Sequence, residues 1–294
     1  ALRALGDSRS PLVAMVISSF TNIVLDLLFV VVFHWGIAGA AIATLIAQAF
    51  AMLYCLWVVV RLPQLRLSRE DRAWDTPRCR ELLKLGAPIA LMNAVIASGG
   101  MAVQSVVNGF GFLFIAGYTA TNKLYGLLEM AAISFGHALS VYTGQNKGAG
   151  RYDRIKQGQR AGTVISLVTS ACICTLMLLF GRDILSLFIS AEPAEYEIVM
   201  GYAFDFLRLM SLCLPMLYML YVYRSILQGM GNTIAPMVSG LVELAMRVSA
   251  AVVLSRFIGC YGTYIAEVSA WGGAAVLLGA MYYREMRKPP ASAL

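Results

Sequence analysis

Apolar residues along this chain gather in eight long runs, at about 11–33, 38–60, 86–107, 113–142, 162–181, 200–223, 235–257 and 262–283. Each is near the ~20 residues that a helix needs to cross the hydrocarbon core of a bilayer. A segment in lipid finds no water for its backbone, and each unpaired amide or carbonyl there costs several kcal/mol, so every run predicts a helix rather than a strand or a loop. The fourth run carries Gly117, Gly126, Gly136 and Gly144, which leaves its ends loosely defined, with Gln145-Asn146 as its expected terminus. Pro215 lies inside the sixth and predicts a kink, because proline removes a backbone donor and crowds the preceding turn.

The polar segments between the runs alternate in charge. One set holds nearly all the Lys and Arg: Arg3 and Arg9, the stretch from Arg61 to Lys84, the stretch from Lys147 to Arg160, Arg224, and the cluster Arg284, Arg287 and Lys288. The other set, at 34–39, 108–112, 182–197 and 256–262, is almost bare of basic residues. Cytoplasmic loops carry the excess of basic residues, so the first set is expected inside. An even number of helices then places both ends of the chain in the cytoplasm of a cell-membrane protein.

Two turns repeat. Leu2-Arg3-Ala4-Leu5-Gly6-Asp7-Ser8 with Pro11 recurs as Leu227-Gln228-Gly229-Met230-Gly231-Asn232-Thr233 with Pro236, at the same spacing. Each copy is followed by two apolar runs joined at a glycine, Trp35-Gly36 in one and Tyr261-Gly262 in the other. This predicts a duplication. The second copy closes a six-helix unit, and the first would close an equivalent unit of which two helices are present. The expected organisation is therefore 1–60 as the last two helices of a first lobe, 61–85 as a cytoplasmic linker, 86–283 as a six-helix second lobe, and 284–294 as a cytoplasmic tail. Parallel repeats of this kind are a transporter design, with substrate bound between rocking halves.

Composition narrows the alternatives. Hydrophobic residues make up 59% of the chain and charged residues 13%, about half the ~25% of a soluble domain. The net charge of +7 is accounted for by loop topology, which removes nucleic acid as a partner. The six cysteines lack metal-ligand spacing, and His34 and His137 stand far apart, so no metal site is expected beyond a coupling ion. With no clustered histidines, no carboxylates paired on one face and no nucleophile elbow, an enzyme is not expected either.

Asp26 is the residue that chemistry must explain. It sits within an apolar run, where a carboxylate costs about 2.5–3.5 kcal/mol on insertion scales. Asn22 is one turn earlier on the same face, and Thr44, on the next helix, adds an oxygen. Hard oxygen ligands suit Na⁺, by analogy with other hard cations, and a carboxylate so placed can equally carry a proton. Glu243 and Arg247, also one turn apart in an apolar run, are expected to form an intrahelical ion pair. With Glu267, and with Lys123 and Glu129 of the fourth run, they are candidates for lining a cavity. Tyr118, Tyr125, Met130, Tyr218, Met219 and Tyr221 offer aromatic and thioether surface, and are read as helix packing.

At four segments the sequence resembles the multidrug and toxic compound extrusion (MATE) family. These are the repeated turn, Asn22-Ile23-Val24-Leu25-Asp26-Leu27-Leu28-Phe29, Gly39-Ala40-Ala41-Ile42-Ala43-Thr44, and Gly144-Gln145-Asn146-Lys147-Gly148-Ala149-Gly150-Arg151. They span almost the whole chain in the family's order. The resemblance implies an all-α membrane antiporter of twelve helices in two lobes, with this chain starting after the fourth. It implies export of cationic or amphipathic organic compounds against H⁺ or Na⁺, and no other cofactor. It also implies that Asn22, Asp26 and Thr44 form part of the coupling site used in one bacterial and archaeal branch, together with an acid on the family's first helix. Another branch places acids on the first and fourth helices of the second lobe. Here 86–107 and 209–223 contain no carboxylate, which favours coupling in the first lobe.

The expected function is a monomeric secondary efflux transporter working by alternating access. A lipid-linked saccharide flippase of related architecture is the rival transporter, and would need a cavity rich in arginine. A non-transporting membrane scaffold is the rival from another class.

Overall fold

The repeated turn folds the same way twice. Gly6 and Gly231 both take positive φ (90° and 75°), which glycine adopts without a Cβ clash. Gly6 N donates to Arg3 O and Asp7 N to Leu2 O, as Gly231 N donates to Gln228 O and Asn232 N to Leu227 O. The Oδ1 atoms of Asp7 and Asn232 then accept from the backbone amides of Ser10 (3.0 Å) and Ala235 (3.2 Å), opening the next helix. Outside the spans, the hydroxyl and amide of Ser10 hold the Asp7 carboxyl below the usual carboxylate range.

The computed structural model describes residues 2–63, 74–190 and 192–287. They form eight helices long and apolar enough to cross a membrane. These are α1 (Arg9–Asp26), α2 (Gly36–Arg61), α3 (Thr76–Val107), α4 (Phe112–Gly148), α5 (Tyr152–Ser186), α6 (Pro193–Gly229), α7 (Ile234–Ile258) and α8 (Tyr261–Met286). The described residues contain no strand. All eight runs are helices, and α6 continues through Pro215 to Gly229. The expected linker is shorter than its apolar boundaries suggested. Helix α3 begins at Thr76, ten residues before the apolar run starts at 86, because a helix carries on past the hydrocarbon edge wherever good helix formers follow. Part of that linker, 64–73, and most of the tail, 288–294, lie outside the described residues.

The chain divides into two compact units, Ala1–Thr76 and Pro77–Leu294. In the first, α1 and α2 form a hairpin whose contact face is small: Ala14, Gly39, Ala43 and Ala47 are buried. Small residues let backbones approach closely where lipid gives no hydrophobic drive between helices. Large apolar residues such as Phe20, Ile37 and Leu45 point outward, as a lipid-facing surface requires. Phe29, Phe33 and Trp35 cluster at the α1–α2 turn, with ring centroids 5.0–6.0 Å apart.

In the second unit α6 is the axis, packed on α4, α5 and α8, while α7 pairs with α8. Its core is aromatic: Phe206 stacks between Tyr118 (4.8 Å) and Tyr264 (4.5 Å), and Phe114 stacks on Tyr264 (5.7 Å). Tyr218 donates its hydroxyl to Leu128 O (3.1 Å), so both Tyr118 and Tyr218 are packing residues as expected. Helix α4 crosses α6 at Gly117 and Thr121, one turn apart. Thr121 Oγ1 donates to Ala203 O (2.8 Å), and a Cβ built on Gly117 would meet Val199 O at 2.7 Å.

Backbone cannot yield as a side-chain tip can. Gly117→Val should therefore destabilise the unit by about 1–3 kcal/mol. Gly126→Val, whose Cβ meets nothing within 4 Å, should change little. Thermal unfolding of the two variants in detergent checks the pair.

Candidate functional site

In each unit one group of polar residues meets within the spans. In the first, Asn22 Nδ2 donates to Thr44 Oγ1 at 3.4 Å, and Thr44 Oγ1 donates back along α2 to Ala40 O at 2.9 Å. The two residues expected on adjoining helices are thus brought together. Asp26, one turn after Asn22, has its Oδ1 buried with no hydrogen-bond partner among the described residues. A carboxylate oxygen withheld from water and left without a donor is an expensive arrangement.

The backbone changes at the same residue. Helix α1 ends at Asp26 and continues as a π-helical turn, Leu27–Val32, in which Phe33 N reaches back to Leu28 O (2.9 Å). Such wide turns leave carbonyls less tightly held and recur at functional sites.

In the second unit a cavity of about 340 Å³ opens among α3, α4, α6, α7 and α8. Glu129, Tyr125 and His137 reach it from α4, Tyr221 and Arg224 from α6, Glu243 and Arg247 from α7, and Trp271 from α8. Glu243 does not pair with Arg247 along α7, as their spacing suggested. It pairs with Arg224 of α6, while Arg247 Nε sits 3.1 Å from Glu267 Oε2 of α8. Both pairs are almost fully buried, with side-chain exposure of 7% and 4% in the first and 8% and 13% in the second. Each ties α7 to a different neighbour, which an intrahelical pair could not do.

Arg224 is the residue that sequence reading missed. At the end of an apolar run it looked like a loop cation, yet α6 continues past it to Gly229 and buries it. The available signal was the repeated turn beginning at Leu227, which fixes where the helix must stop. Lys123 is corrected in the other direction: it is exposed on α4 and does not line the cavity. Glu129 does line it, and accepts from the Tyr221 hydroxyl at 2.8 Å.

The repeat relates the two places. Aligning Leu2 with Leu227 aligns Asn22 with Arg247, and each reaches the following helix, Asn22 to Thr44 and Arg247 to Glu267. The same alignment puts Asp26 opposite Ala251. The first unit alone carries an acid at that level.

The family model described as MatE matches residues 88–255. A "Probable multidrug resistance protein YpnP" of Bacillus subtilis is 31% identical over 244 residues, 82% of this chain and 53% of that protein. A "Probable multidrug resistance protein NorM" of Thermotoga maritima is 24% identical over 285 residues, 91% of this chain and 58% of that protein. The chain thus spans about half the length of these relatives. Among solved structures, a MOP superfamily transporter from Pyrococcus furiosus superposes with a TM-score of 0.89 at 22% identity, covering 97% of this chain and 64% of that one. An outward-facing multidrug resistance MATE family transporter gives 0.88 at 21%, with the same coverages. The all-α fold, the pairing of helices and the match across more than half of the sequence place this chain in the MATE family of membrane transporters.

Proposed function

We propose that this chain is part of a secondary active efflux transporter that exchanges small organic compounds for H⁺ or Na⁺ by alternating access. The observation that carries the reading is the buried, unpartnered Oδ1 of Asp26 beside the Asn22–Thr44 bond. A carboxylate oxygen so placed is costly unless a positive charge compensates it. With H⁺ or Na⁺ bound, Asp26 is neutralised and the α1–α2 contact tightens around it; without it, the charge seeks water. That difference biases which side of the transporter opens. The family relationship supports the reading, since relatives carry the names of multidrug resistance proteins. The flippase alternative gains little: Arg224 and Arg247 do line a cavity, but each is already paired with a glutamate.

Asp26→Asn mimics the permanently neutralised state. In cells expressing the protein it should abolish gradient-driven dye efflux while membrane expression is retained. Thr44→Val should weaken efflux less, because a carboxylate remains. Efflux by Asp26→Asn at the unmutated rate would remove Asp26 from the coupling site.

The same reading places the protein in the cell membrane as a monomer, with the basic segments inside. In a cysteine-free background, Ser190→Cys should react with a membrane-impermeant maleimide in intact cells. Asp153→Cys, beside the basic residues of α5, should react only after permeabilisation. Labelling in the opposite order would invert the orientation.

A further inference from the structure

A groove of about 460 Å³ opens between α4 and α5, apart from the cavity that holds the ion pairs. Phe135, Leu139 and Tyr142 of α4 form its wall, and Gly158, Ala161 and Gly162 of α5 form its floor. The glycines make room for it. A Cβ on Gly158 would run into the Tyr142 ring, and one on Gly162 would meet Leu139 at 2.9 Å. The large side chains of α4 thus lie against the backbone of α5, and the small residues beside them leave a furrow. No lining residue carries a charge. Ala161 and Ile165 are exposed within it, so something in the bilayer must cover them.

The groove is graded along its length. Helix α4 ends at Gly148 and α5 begins at Tyr152, so the lining residues Tyr142 and Gln157 lie at the end near the turn, and Phe135 and Ile165 lie deeper in the span. From Gln157 to Ile165 the helix rises roughly 12 Å. Beyond the polar end the chain turns basic, with Lys147, Arg151, Arg154, Lys156 and Arg160 set against one acid, Asp153. At roughly 3.6 residues per turn, Arg154 falls on the face of α5 that carries Gly158, Ala161 and Ile165, with Arg151 at the cap before it, whereas Asp153 and Lys156 fall on the opposite face. The Arg154 carbonyl accepts the Tyr142 hydroxyl (3.1 Å), which fixes it at the mouth of the groove. Arg151 and Arg154 are exposed, and neither guanidinium has a hydrogen-bond or ion-pair partner among the described residues. The Lys147 ammonium, by contrast, donates to Met230 O.

We propose that this groove holds one acyl chain of an anionic phospholipid, with the lipid phosphate between Arg151 and Arg154. An uncharged furrow parallel to the spanning helices suits a hydrocarbon chain, and two unpaired guanidiniums at its mouth suit a phosphate. The lipid is anionic and not zwitterionic, because the face that carries the two arginines has no carboxylate to receive an ammonium headgroup. A polypeptide fits less well. The Tyr142 hydroxyl is already engaged, so Gln157 is the one lining side chain left to bond a backbone. Basic residues at a membrane surface attract anionic headgroups, which are enriched in the cytoplasmic leaflet. The choice of leaflet follows from the orientation proposed above; the groove and its mouth depend neither on that nor on the role given to Asp26.

Native mass spectrometry of the purified protein in detergent, titrated with dioleoyl phosphatidylglycerol, tests the assignment. A single tightly held lipid per chain is expected, with phosphatidylcholine of the same chains binding more weakly. Each arginine at the surface is worth about fivefold, so Arg151→Gln combined with Arg154→Gln should weaken phosphatidylglycerol binding by about 25-fold. Lys156→Gln, on the opposite face, should leave it unchanged. Ala161→Trp fills the groove while keeping both arginines, and should also displace the lipid; its site is exposed, so it reports even if the double variant folds poorly. Glycerol phosphate, a headgroup without chains, should not compete. The proposal is overturned if phosphatidylcholine binds equally, or if the double variant or Ala161→Trp holds phosphatidylglycerol as tightly as the unmutated protein. Displacement by glycerol phosphate would assign the arginines to free phosphate, and a dimer that excludes lipid would assign the groove to a second copy; either overturns it.

Discussion

Inside a bilayer a charge must be paired, be used, or not be there. That constraint organises this chain more than any single contact. The surface meets it by omission: the large apolar side chains of α1 and α2 that face outward are Phe, Ile, Leu, Val, Met and Trp. In the interior of the second unit Glu243 and Glu267 meet it by pairing. Arg224–Glu243 and Arg247–Glu267 bind α7 to α6 and to α8, so the charges that would be a liability become the ties between helices. The first unit departs from the rule at one atom, Oδ1 of Asp26.

The contrast between the units gains weight from the turn they share. The same turn, with the same hydrogen bonds, opens α1 and α7. Asn22 and Arg247 fall at the same level of the repeat and each joins its neighbouring helix. One copy carries a fully charged tie. The other carries a neutral amide–hydroxyl bond, with a carboxylate one turn further on. A neutral tie leaves that carboxylate without a built-in counter-ion, so any compensating charge must arrive from outside.

Much of this was legible in the sequence, for reasons that also explain what was not. Span positions follow from hydropathy because lipid is unforgiving of polar runs, and all eight became helices. The repeat was legible because Gly6 and Gly231 must take a conformation that few other residues tolerate. The meeting of Asn22 with Thr44 was expected from their neighbouring runs and is present. Pairings across helices were hidden, because spacing along one helix favours the nearest partner: Glu243 and Arg247 are one turn apart, yet each binds elsewhere. Arg224 was hidden because hydropathy marks the edge of the hydrocarbon, not the end of the helix. Lys123 misled for the converse reason: a lysine within a long run has a stem able to carry its ammonium to the surface.

The central claim is that the charges of the second unit hold it together while the charge of Asp26 serves a cycle and not the fold. Thermal unfolding in lipid nanodiscs, comparing Glu243→Gln with Asp26→Asn, measures this directly. Removing one partner of a buried pair strands the other, so Glu243→Gln should cost about 3–5 kcal/mol. Asp26→Asn removes a carboxylate whose Oδ1 lacks a donor, and should leave the unfolding temperature unchanged or raise it. Equal destabilisation by the two variants would contradict the account, because Asp26 would then be as structural as Glu243.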